Sequence, residues 1–432
     1  MNLLDPLYRA PFFGSMLMCL ASALVGTLMV VKRRSLMGEA LSHAAYPGVV
    51  LSIAIGAFFL TPNNPLAILL VMGGALIFSY LGLGAIETLC NRFRIHLDAA
   101  LCLILSVFLG FGVVVASHIQ FTHPLWYQQS QVFIYGQAAT MTDSHIIIYG
   151  ALSLIMIFFI LYRFREIELA LFDPFYAQSR GLSMHRVMQG IFFLLILSTI
   201  IGIRSVGVIL ISGMLLAPAA AARPFTDRLS HLLILSGLFG LLSGFGGNYL
   251  SVKLSEQGLT YPTGPMILLV AAFLTLLSLI FAPKKGALSR MVRVARFKKR
   301  CQLENILKTF WKGGADTPMS REGILKWNPM GRLRMRKALF TLQREGWIAV
   351  GEKGRLLLTP DGVKRAEHLI RLHRLWELYL VSCLKLDEER VHCSAEEMEH
   401  IITPDLEKRL TALLNHPKKD PHESPIPQGE LV

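Results

Sequence analysis

Long apolar runs separated by short polar joints fill the first two thirds of the chain. A helix needs about 20 apolar residues to cross the hydrocarbon core of a bilayer, and most of these runs approach that length. The pattern predicts spans over 11–31, 46–61, 65–88, 99–118, 145–162, 186–203, 205–222, 229–249 and 264–282. Some runs are short and Arg204 divides the block 186–222, so the pattern supports eight spans as well as nine.

The pattern changes near Pro283. Eight Lys and Arg residues follow between Lys284 and Arg300 without an acidic one, and the rest reads as soluble sequence. The whole chain is 53% hydrophobic and only 17% charged, which is unusual for a soluble protein of this size. We predict an all-α polytopic membrane domain over 1–283, a basic linker over 284–301 and a soluble part over 302–432.

Basic residues predict the orientation of the membrane domain. They cluster at 32–34, 92–94, 163–165, 223–228 and after Pro283. Lys and Arg beside apolar spans mark the cytosolic side of the plasma membrane. This assignment places 61–65, 118–131 and 255–264 outside and the C-terminal part in the cytoplasm. Part of the formal net charge of +14 therefore reflects membrane topology.

Glu39 and His43 are candidate metal ligands of the membrane domain. They stand four residues apart and therefore lie on one face of a helix. Ionisable groups at membrane depth are costly and usually line a pathway, and a carboxylate with an imidazole suits Mn²⁺, Fe²⁺ or Zn²⁺. The alternative is that both residues end the cytosolic loop opened by Lys32 and lie in water.

The segment Arg33–Gly48, RRSLMGEALSHAAYPG, resembles the signature of ABC-transporter permeases for manganese, zinc and iron. Val206–Leu210, Leu216–Arg223 and Tyr261–Pro265 add to the resemblance, which covers about residues 10–283. It implies that Glu39, where the family more often has Asp, and His43 line the metal route. It also implies a separate ATP-binding subunit, an extracytoplasmic metal-binding protein and a second permease copy or paralogue.

The resemblance also concerns residues 164–181, an amphipathic stretch that in this family docks on the ATPase subunit. The alternative is an ordinary loop with a surface helix. The 432 residues contain no GxxxxGK[ST] phosphate loop, so we expect ATP hydrolysis to belong to the separate subunit and no covalent chemistry in this chain.

The soluble part begins with a helical pattern, in which Leu303, Ile306, Leu307 and Phe310 recur at core spacing. A second periodic run, 332–344, has Leu333, Ala338, Leu339 and Leu342 inward and four basic residues outward: Arg332, Arg334, Arg336 and Lys337. A strand, a tight turn, a second strand and a helix after Thr359 follow. This order predicts a winged helix-turn-helix over 302–364 whose basic helix contacts DNA. A protein-binding winged helix is the alternative.

Histidine and glutamate residues recur after the wing at helical spacing. His373 and Glu377 are four apart, and His392 lies nearby in sequence. Glu396, Glu399 and His400 share one face of a later helix. Two such sets facing each other would supply a mixed imidazole and carboxylate shell for Mn²⁺ or Fe²⁺. A solvated, salt-bridging face is the alternative for one set alone.

Residues 302–427 resemble the diphtheria-toxin-repressor and manganese-repressor family of metal-dependent regulators, through LQREGW at 342–347, LTPDG at 358–362, HRLWE at 373–377 and VHCSAEEMEH at 391–400. The resemblance implies one metal site at His373, Glu377 and His392 and another at Glu396, Glu399 and His400. It further implies a small helical metal-binding and dimerisation domain over 365–432. The family's first helix also donates a ligand, and Asn305 stands there in this chain.

Together these features predict an importer of manganese or iron, or of zinc, fused to a repressor of metal-uptake genes that the same ion activates as corepressor. A homodimer would bind operator DNA. We hypothesise that the linker is cut to free the regulator. In one alternative the cytosolic domain senses metal and gates transport without binding DNA; in another the membrane half moves a metal chelate.

Overall fold

In a computed structural model the chain divides into two units, residues 1–290 and residues 291–432. The structure describes residues 6–59, 65–136, 141–208, 210–258, 261–314 and 317–427. Both units are mainly helical, and strands occur in these residues only as a short hairpin in the second unit. The boundary between the units falls inside the predicted linker, 284–301.

Helices follow one another through short joints in the first unit. They are α1 (Pro6–Val31), α2 (Met37–Phe59), α3 (Pro65–Asn91), α4 (Leu97–Thr122), α5 (Pro124–Tyr135), α6 (Asp143–Tyr162), α7 (Phe164–Phe172), α8 (Pro174–Ser179), α9 (Met184–Val206), α10 (Ile211–Ala222), α11 (Leu229–Glu256) and α12 (Thr263–Phe281). Among the described residues, α1, α2, α3, α4, α6, α9, α11 and α12 are long and apolar enough to cross a membrane. The predicted all-α polytopic architecture is confirmed, with eight long spans.

Three predicted segments of this unit differ from the structure. The ninth candidate, 205–222, corresponds to the 12-residue helix α10. The second candidate begins nine residues too late, because Glu39 and His43 interrupt the apolar run but not helix α2. Residues 118–131, expected as an external loop, contain the end of α4 and most of α5.

Glycine allows α2 and α3 to pack at close range. The backbones of Gly48 and Gly74 face each other, and a methyl group at Gly74 would overlap the Ser52 hydroxyl and the Gly48 carbonyl oxygen. Small residues at such crossings let membrane helices approach closely. Gly73, the neighbour of Gly74, has no described atom within 4 Å of the place where its methyl group would lie.

Gly74→Ala should therefore destabilise the membrane unit, whereas Gly73→Ala should not. Overpacking of a well-packed interior costs about 1–3 kcal/mol, and the obstruction at Gly74 is partly rigid backbone. Thermal unfolding of the detergent-solubilised full chain, followed by tryptophan fluorescence, measures the difference. Equal unfolding temperatures for the two variants would contradict the close crossing.

Helices and a hairpin alternate in the second unit. Its elements are α13 (Ala287–Lys312), which begins just before the boundary, α14 (Arg321–Trp327), α15 (Arg332–Arg344), β1 (Ile348–Val350), β2 (Leu356–Leu358), α16 (Pro360–Ser382), α17 (Glu388–Met398) and α18 (Pro404–Leu413). Strands β1 and β2 pair antiparallel, with Ile348 opposite Leu358. The order of α13, α14, α15 and the hairpin is that of a winged helix-turn-helix, as predicted.

The core of this winged helix is formed by one face of each helix. Leu303, Ile306, Leu307 and Phe310 of α13 are buried, as their spacing predicts. On α15 the buried face consists of Met335, Ala338, Leu339 and Leu342. The prediction that Leu333 points inward is wrong, since its side chain is 77% exposed. Each residue of a helix turns the side-chain direction by about 100°. Leu333 precedes the buried Met335 by two residues, so it points about 200° away, to the outer face.

The predicted divisions of the soluble part run through continuous helices. Helix α13 includes most of the basic segment 284–301 and continues into the first core helix of the winged helix. Helix α16 likewise crosses the predicted boundary between 302–364 and 365–432. The basic segment is thus helical after residue 287, and residues 290–300 are all exposed.

Candidate metal centre

Helices α16 and α17 carry most of the candidate ligands of the second unit. Helix α16 begins at Thr359, whose hydroxyl accepts a hydrogen bond from the Gly362 amide at 3.1 Å, and Pro360 occupies its first turn. His373 and Glu377 are one turn apart on α16 and are only 5% and 2% exposed. Helix α17 packs against α16 and brings His392 to them.

Three side chains meet at this contact. His373 Nε2 lies 3.1 Å from Glu377 Oε1 and 3.1 Å from His392 Nδ1, and Glu377 Oε1 lies 2.8 Å from His392 Nδ1. Among the residues that the structure describes, they form the one group of three or more such side chains close enough to share an ion. The structure therefore brings together the residues expected at the first site.

Glu399 supports this group from the opposite side of the imidazole. Its Oε2 lies 2.6 Å from His373 Nδ1, so we assign the proton to Nδ1, which donates to the carboxylate. Histidine ligands of metal ions commonly donate their second ring N–H to a carboxylate in this way. An ion could then bind His373 Nε2 once the proton that Nε2 shares with Glu377 has left.

Buried charges adjust to one another in this group. Burial by itself would raise the pKa of the Glu377 carboxyl, but hydrogen bonds with His373 and His392 outweigh it and lower the pKa to about 2. Burial lowers the pKa of His373, but hydrogen bonds to Glu377 and Glu399 outweigh that effect and raise it above its usual value. An ion held by His373 would have to displace a proton, so its affinity should fall as the pH falls.

The geometry of the three side chains fits a divalent ion. Ligands that each lie about 2.1 Å from an ion and stand at right angles are about 3 Å apart, as these donor atoms are. Two imidazole nitrogens and a carboxylate oxygen suit Mn²⁺, Fe²⁺ and Zn²⁺. His373, Glu377 and His392 would hold the ion and leave further positions for water or another ligand.

The second predicted set is not gathered in the same way. Glu396 has a half-exposed side chain whose carboxylate lies 3.5 Å from His392 Nε2 and faces the first group. His400 uses both ring nitrogens on α13: Nδ1 lies 2.8 Å from Glu304 Oε2 and Nε2 lies 3.1 Å from Asn305 Oδ1. Glu399 Oε1 comes no closer than 3.7 Å to His400 Nε2.

The Glu304 carboxylate contacts three side chains of the second unit. Its carboxylate accepts hydrogen bonds from Arg300 at 3.0 Å and from Arg365 at 2.8 Å, besides its contact with His400. Burial opposes its ionisation, but these hydrogen bonds outweigh burial and lower its pKa to about 2. Asn305, expected where the family places a ligand, contacts His400.

Lys308 is the functional candidate that sequence analysis missed. Its ammonium lies 2.8 Å and 3.0 Å from the two carboxylate oxygens of Glu399 and 3.4 Å from His373 Nδ1. The residue is only 5% exposed. A cation thus lies on the side of Glu399 where a second ion was expected.

The basic positions of α15 form an exposed surface. Arg332, Arg334, Arg336 and Lys337 are all exposed, as predicted. The same helix also exposes apolar side chains, with Leu333 at 77% and Phe340 at 66%. Helix α15 follows the short helix α14, as a recognition helix follows its partner in a helix-turn-helix.

His43 of the membrane unit is buried inside a span and not in a loop. It is 7% exposed on α2, and its Nδ1 has no hydrogen-bond partner among the described residues. Glu39 stands one turn earlier and is partly exposed. His43 thus lies within helix α2, whereas Glu39 is in the first turn of that helix, next to the preceding loop.

Residues 164–179 form two short helices, α7 and α8. Ile167 and Ala170 of α7 are buried against the unit, whereas Phe172, Phe175 and Tyr176 are exposed by 55%, 84% and 50%. The Asp173 carboxylate caps α8 by accepting the Tyr176 amide at 2.9 Å. The segment is thus ordered and presents aromatic side chains outward.

Comparisons with known proteins give the same division of the chain. Residues 5–282 match the ABC 3 transport family, and residues 359–428 match the metal binding and dimerisation domain of iron dependent repressors. A "probable metal transport system membrane protein" of Chlamydia trachomatis is 35% identical over 98% of this chain and 97% of its own length. The manganese transport system membrane protein MntC of Bacillus subtilis is 31% identical over 86% of this chain and 84% of its own.

A solved structure agrees on the fold of the membrane domain. PsaBC from Streptococcus pneumoniae, solved in complex with Fab, superposes with a TM-score of 0.57 at 24% identity, covering 68% of this chain and 97% of that chain. Both resemblances inferred from sequence motifs are confirmed by these matches. The chain belongs to the ABC 3 transport family and joins its metal permease domain to a C-terminal domain of the iron-dependent-repressor type.

Proposed function

We propose that the membrane domain is the translocating subunit of an ATP-driven importer of manganese or iron, with zinc as a third candidate, and that the second unit represses metal-uptake genes when it binds the same ion. The observation that carries the proposal is the meeting of His373, Glu377 and His392 at 2.8–3.1 Å. Such a group recognises the class of ion that a permease of this family moves.

The cargo would pass along α2. His43 offers a buried imidazole whose Nδ1 lacks a described hydrogen-bond partner, and Glu39 offers a carboxylate one turn away. Buried polar atoms normally find partners, so an unpaired nitrogen on a membrane helix is consistent with a ligand for a passing ion. A free ion, and not a metal chelate, would be the cargo.

Partners would supply what this chain lacks. The exposed aromatic side chains of α7 and α8, Phe172, Phe175 and Tyr176, suit docking on a separate ATP-binding subunit. An extracytoplasmic metal-binding protein would deliver the ion, and a second permease copy or paralogue would complete the pathway. Basic residues at the joints favour an orientation in which the second unit lies in the cytoplasm.

The regulatory step would be a shift between conformations. An ion that binds the DNA-competent state more tightly than the other state increases the population of that state. A homodimer formed through 365–432 would then present two copies of α15 to operator DNA. Lys and Arg side chains on this helix would neutralise phosphates in the major groove.

Metal-dependent DNA binding tests this proposal directly. The full chain in nanodiscs should shift a DNA fragment from upstream of its own gene when Mn²⁺ or Fe²⁺ is present, with Zn²⁺ compared. His373→Ala should raise the metal concentration needed by at least about tenfold, because it removes one of the three proposed ligands. The matched control His416→Ala alters a histidine outside the group. No metal-dependent shift with any of the three ions would contradict the repressor.

A second function is favoured by a specific feature of α15. Leu333 and Phe340 expose apolar surface on the helix that carries the basic residues. Apolar side chains at that place also suit a protein partner, so the second unit could sense metal and gate transport without binding DNA. Charge reversal on α15 distinguishes the two functions.

A repressor on a membrane protein reaches only DNA brought to the bilayer, so we propose that it is released by cleavage near the start of α13. Residues 290–300 are all exposed, although they are helical, and a protease would have to open that helix locally. Immunoblotting of whole cells with an antibody against α16–α18 should show a soluble fragment besides the full chain. A single full-length band in the membrane fraction would exclude release.

A further inference from the structure

We infer that the Lys308 ammonium serves as a built-in cation in place of a second divalent ion, so that the second unit binds one ion, at His373, Glu377 and His392. The inference rests on the proposed function and deepens it, because it sets how many ions the regulator reads. Its basis is the position of one side chain that no motif had singled out.

Lys308 occupies a place that only a cation can fill favourably. Both oxygens of the buried Glu399 carboxylate are bound to its ammonium, at 2.8 Å and 3.0 Å. The Lys308 side chain is 7% exposed and the Glu399 side chain is fully buried. A carboxylate removed from water needs a compensating positive charge, and Lys308 supplies it without any bound ion.

A second divalent ion would find neither free ligands nor a favourable field here. Glu399 is shared between Lys308 and His373, and His400 is shared between Glu304 and Asn305. An ion at Glu399 would stand next to the ammonium, and like charges at that distance repel strongly in a buried site. The remaining member of the set, Glu396, faces His392.

The substitution of an ammonium for an ion also fixes a link within the second unit. Lys308 lies on α13, whereas its partners Glu399 and His373 lie at the end of α17 and on α16. The contact therefore connects the first helix of the winged helix to the metal-binding helices in the absence of metal. An ion that binds at His373 would therefore act on a unit in which Lys308 already connects α13 to α16 and to the end of α17.

Counting bound ions tests the inference. By equilibrium dialysis with Mn²⁺, the detergent-solubilised chain carrying His373→Ala should hold one ion fewer than the parent. Lys308→Glu should hold one ion more, since it replaces the ammonium by a carboxylate beside Glu399. Because each count is a difference from the parent, ions held by the membrane unit cancel. A Lys308→Glu chain that binds no additional ion, or a parent that already holds two ions sensitive to His373 and Glu399, would overturn the inference.

A second pair of variants separates charge from packing. Lys308→Met keeps the length of the side chain but removes its charge, so the metal-free unfolding temperature should fall by at least about 5 °C. Adding Mn²⁺ should raise the unfolding temperature of Lys308→Met by more than it raises that of the parent, because in the variant the ion replaces the missing ammonium. Lys308→Arg should retain the parent's metal-free stability. Equal Mn²⁺-induced shifts in Lys308→Met and the parent would show that Lys308 only fills space.

These readouts remain informative if the proposed function fails. Neither ion counting nor thermal unfolding depends on DNA binding or on transport. If the chain shows the predicted ion counts but never binds DNA, the inference about Lys308 stands and the repressor function is refuted. If the chain represses but needs two ions per chain, the repressor function stands and the inference about Lys308 is refuted.

Discussion

Reversing two charges on α15, in Arg334→Glu with Arg336→Glu, should weaken DNA binding at least about 100-fold at physiological salt. Both side chains are exposed, so the change should leave the core formed by Met335 and Leu339 undisturbed. Phosphate contacts by Lys and Arg release counterions. Losing two such contacts should therefore also reduce the magnitude of the slope of log K against log[salt] by about two. Fluorescence anisotropy of labelled DNA with the nanodisc-embedded chain, over a series of salt concentrations, measures both effects.

The control for this experiment lies on α13. Arg293→Glu with Arg296→Glu makes the same change of net charge at two exposed positions outside the winged helix. If α15 contacts DNA, the control should retain most of the affinity. Equal losses in both double variants would indicate unspecific attraction to a basic protein. Unchanged DNA binding in the α15 variant, or altered metal regulation of transport in its place, would support the gating function.

In the membrane unit, the sequence predicted helices correctly where they are apolar and missed helical segments that contain polar residues. Apolar runs predicted eight of the long helices because lipid requires that length and composition. The start of α2 was missed because Glu39 and His43 make its first turns polar, although the helix continues through them. Helix α5 was missed because it has only 12 residues and its Gln and Ser residues interrupt the apolar pattern, so the segment resembles a loop. These are the places where tertiary contacts outweigh local composition.

Within the second unit, local spacing predicted contacts along one helix better than contacts between helices. The pair His373 and Glu377 follows from its i, i+4 spacing on α16, and His392 was assigned to it by motif position. Their meeting at 2.8–3.1 Å required the packing of α17 on α16. Lys308 is 65 residues from His373 and 91 from Glu399 in the chain, so no periodic pattern relates them. Leu333 was misplaced because the core face of α15 begins at Met335.

The two units use the same donor types under different constraints. His373 is held by Glu399, Glu377 and His392, so its ring orientation is set before any ion arrives. His43 has no described partner for Nδ1. A sensor benefits from a preorganised site that binds tightly, whereas a transport site must also release its ion. The contrast agrees with a regulator in the second unit and a pathway in the first.

His43→Ala should reduce metal uptake at least about tenfold, with no loss of protein from the membrane. Removing an imidazole ligand weakens ion binding by about this factor or more, and the span itself should tolerate Ala because α2 is a long apolar helix. Uptake of ⁵⁴Mn by cells that express the chain with its partner subunits, normalised to membrane-inserted protein, measures the effect. His231→Ala, at an exposed position on α11, is the matched control.

Glu39 allows the same test to distinguish a shared ion from two separate roles. If Glu39 and His43 bind one passing ion, Glu39→Gln should also lower uptake, and the double variant should lose less than the product of the single losses, because each single change already disrupts the site. If the losses multiply, the two residues act independently, and Glu39 belongs to the entrance of α2 and not to the ion's binding site. Parental uptake by His43→Ala at equal membrane levels would place the metal route away from α2 altogether, since the buried imidazole would then have no part in conduction.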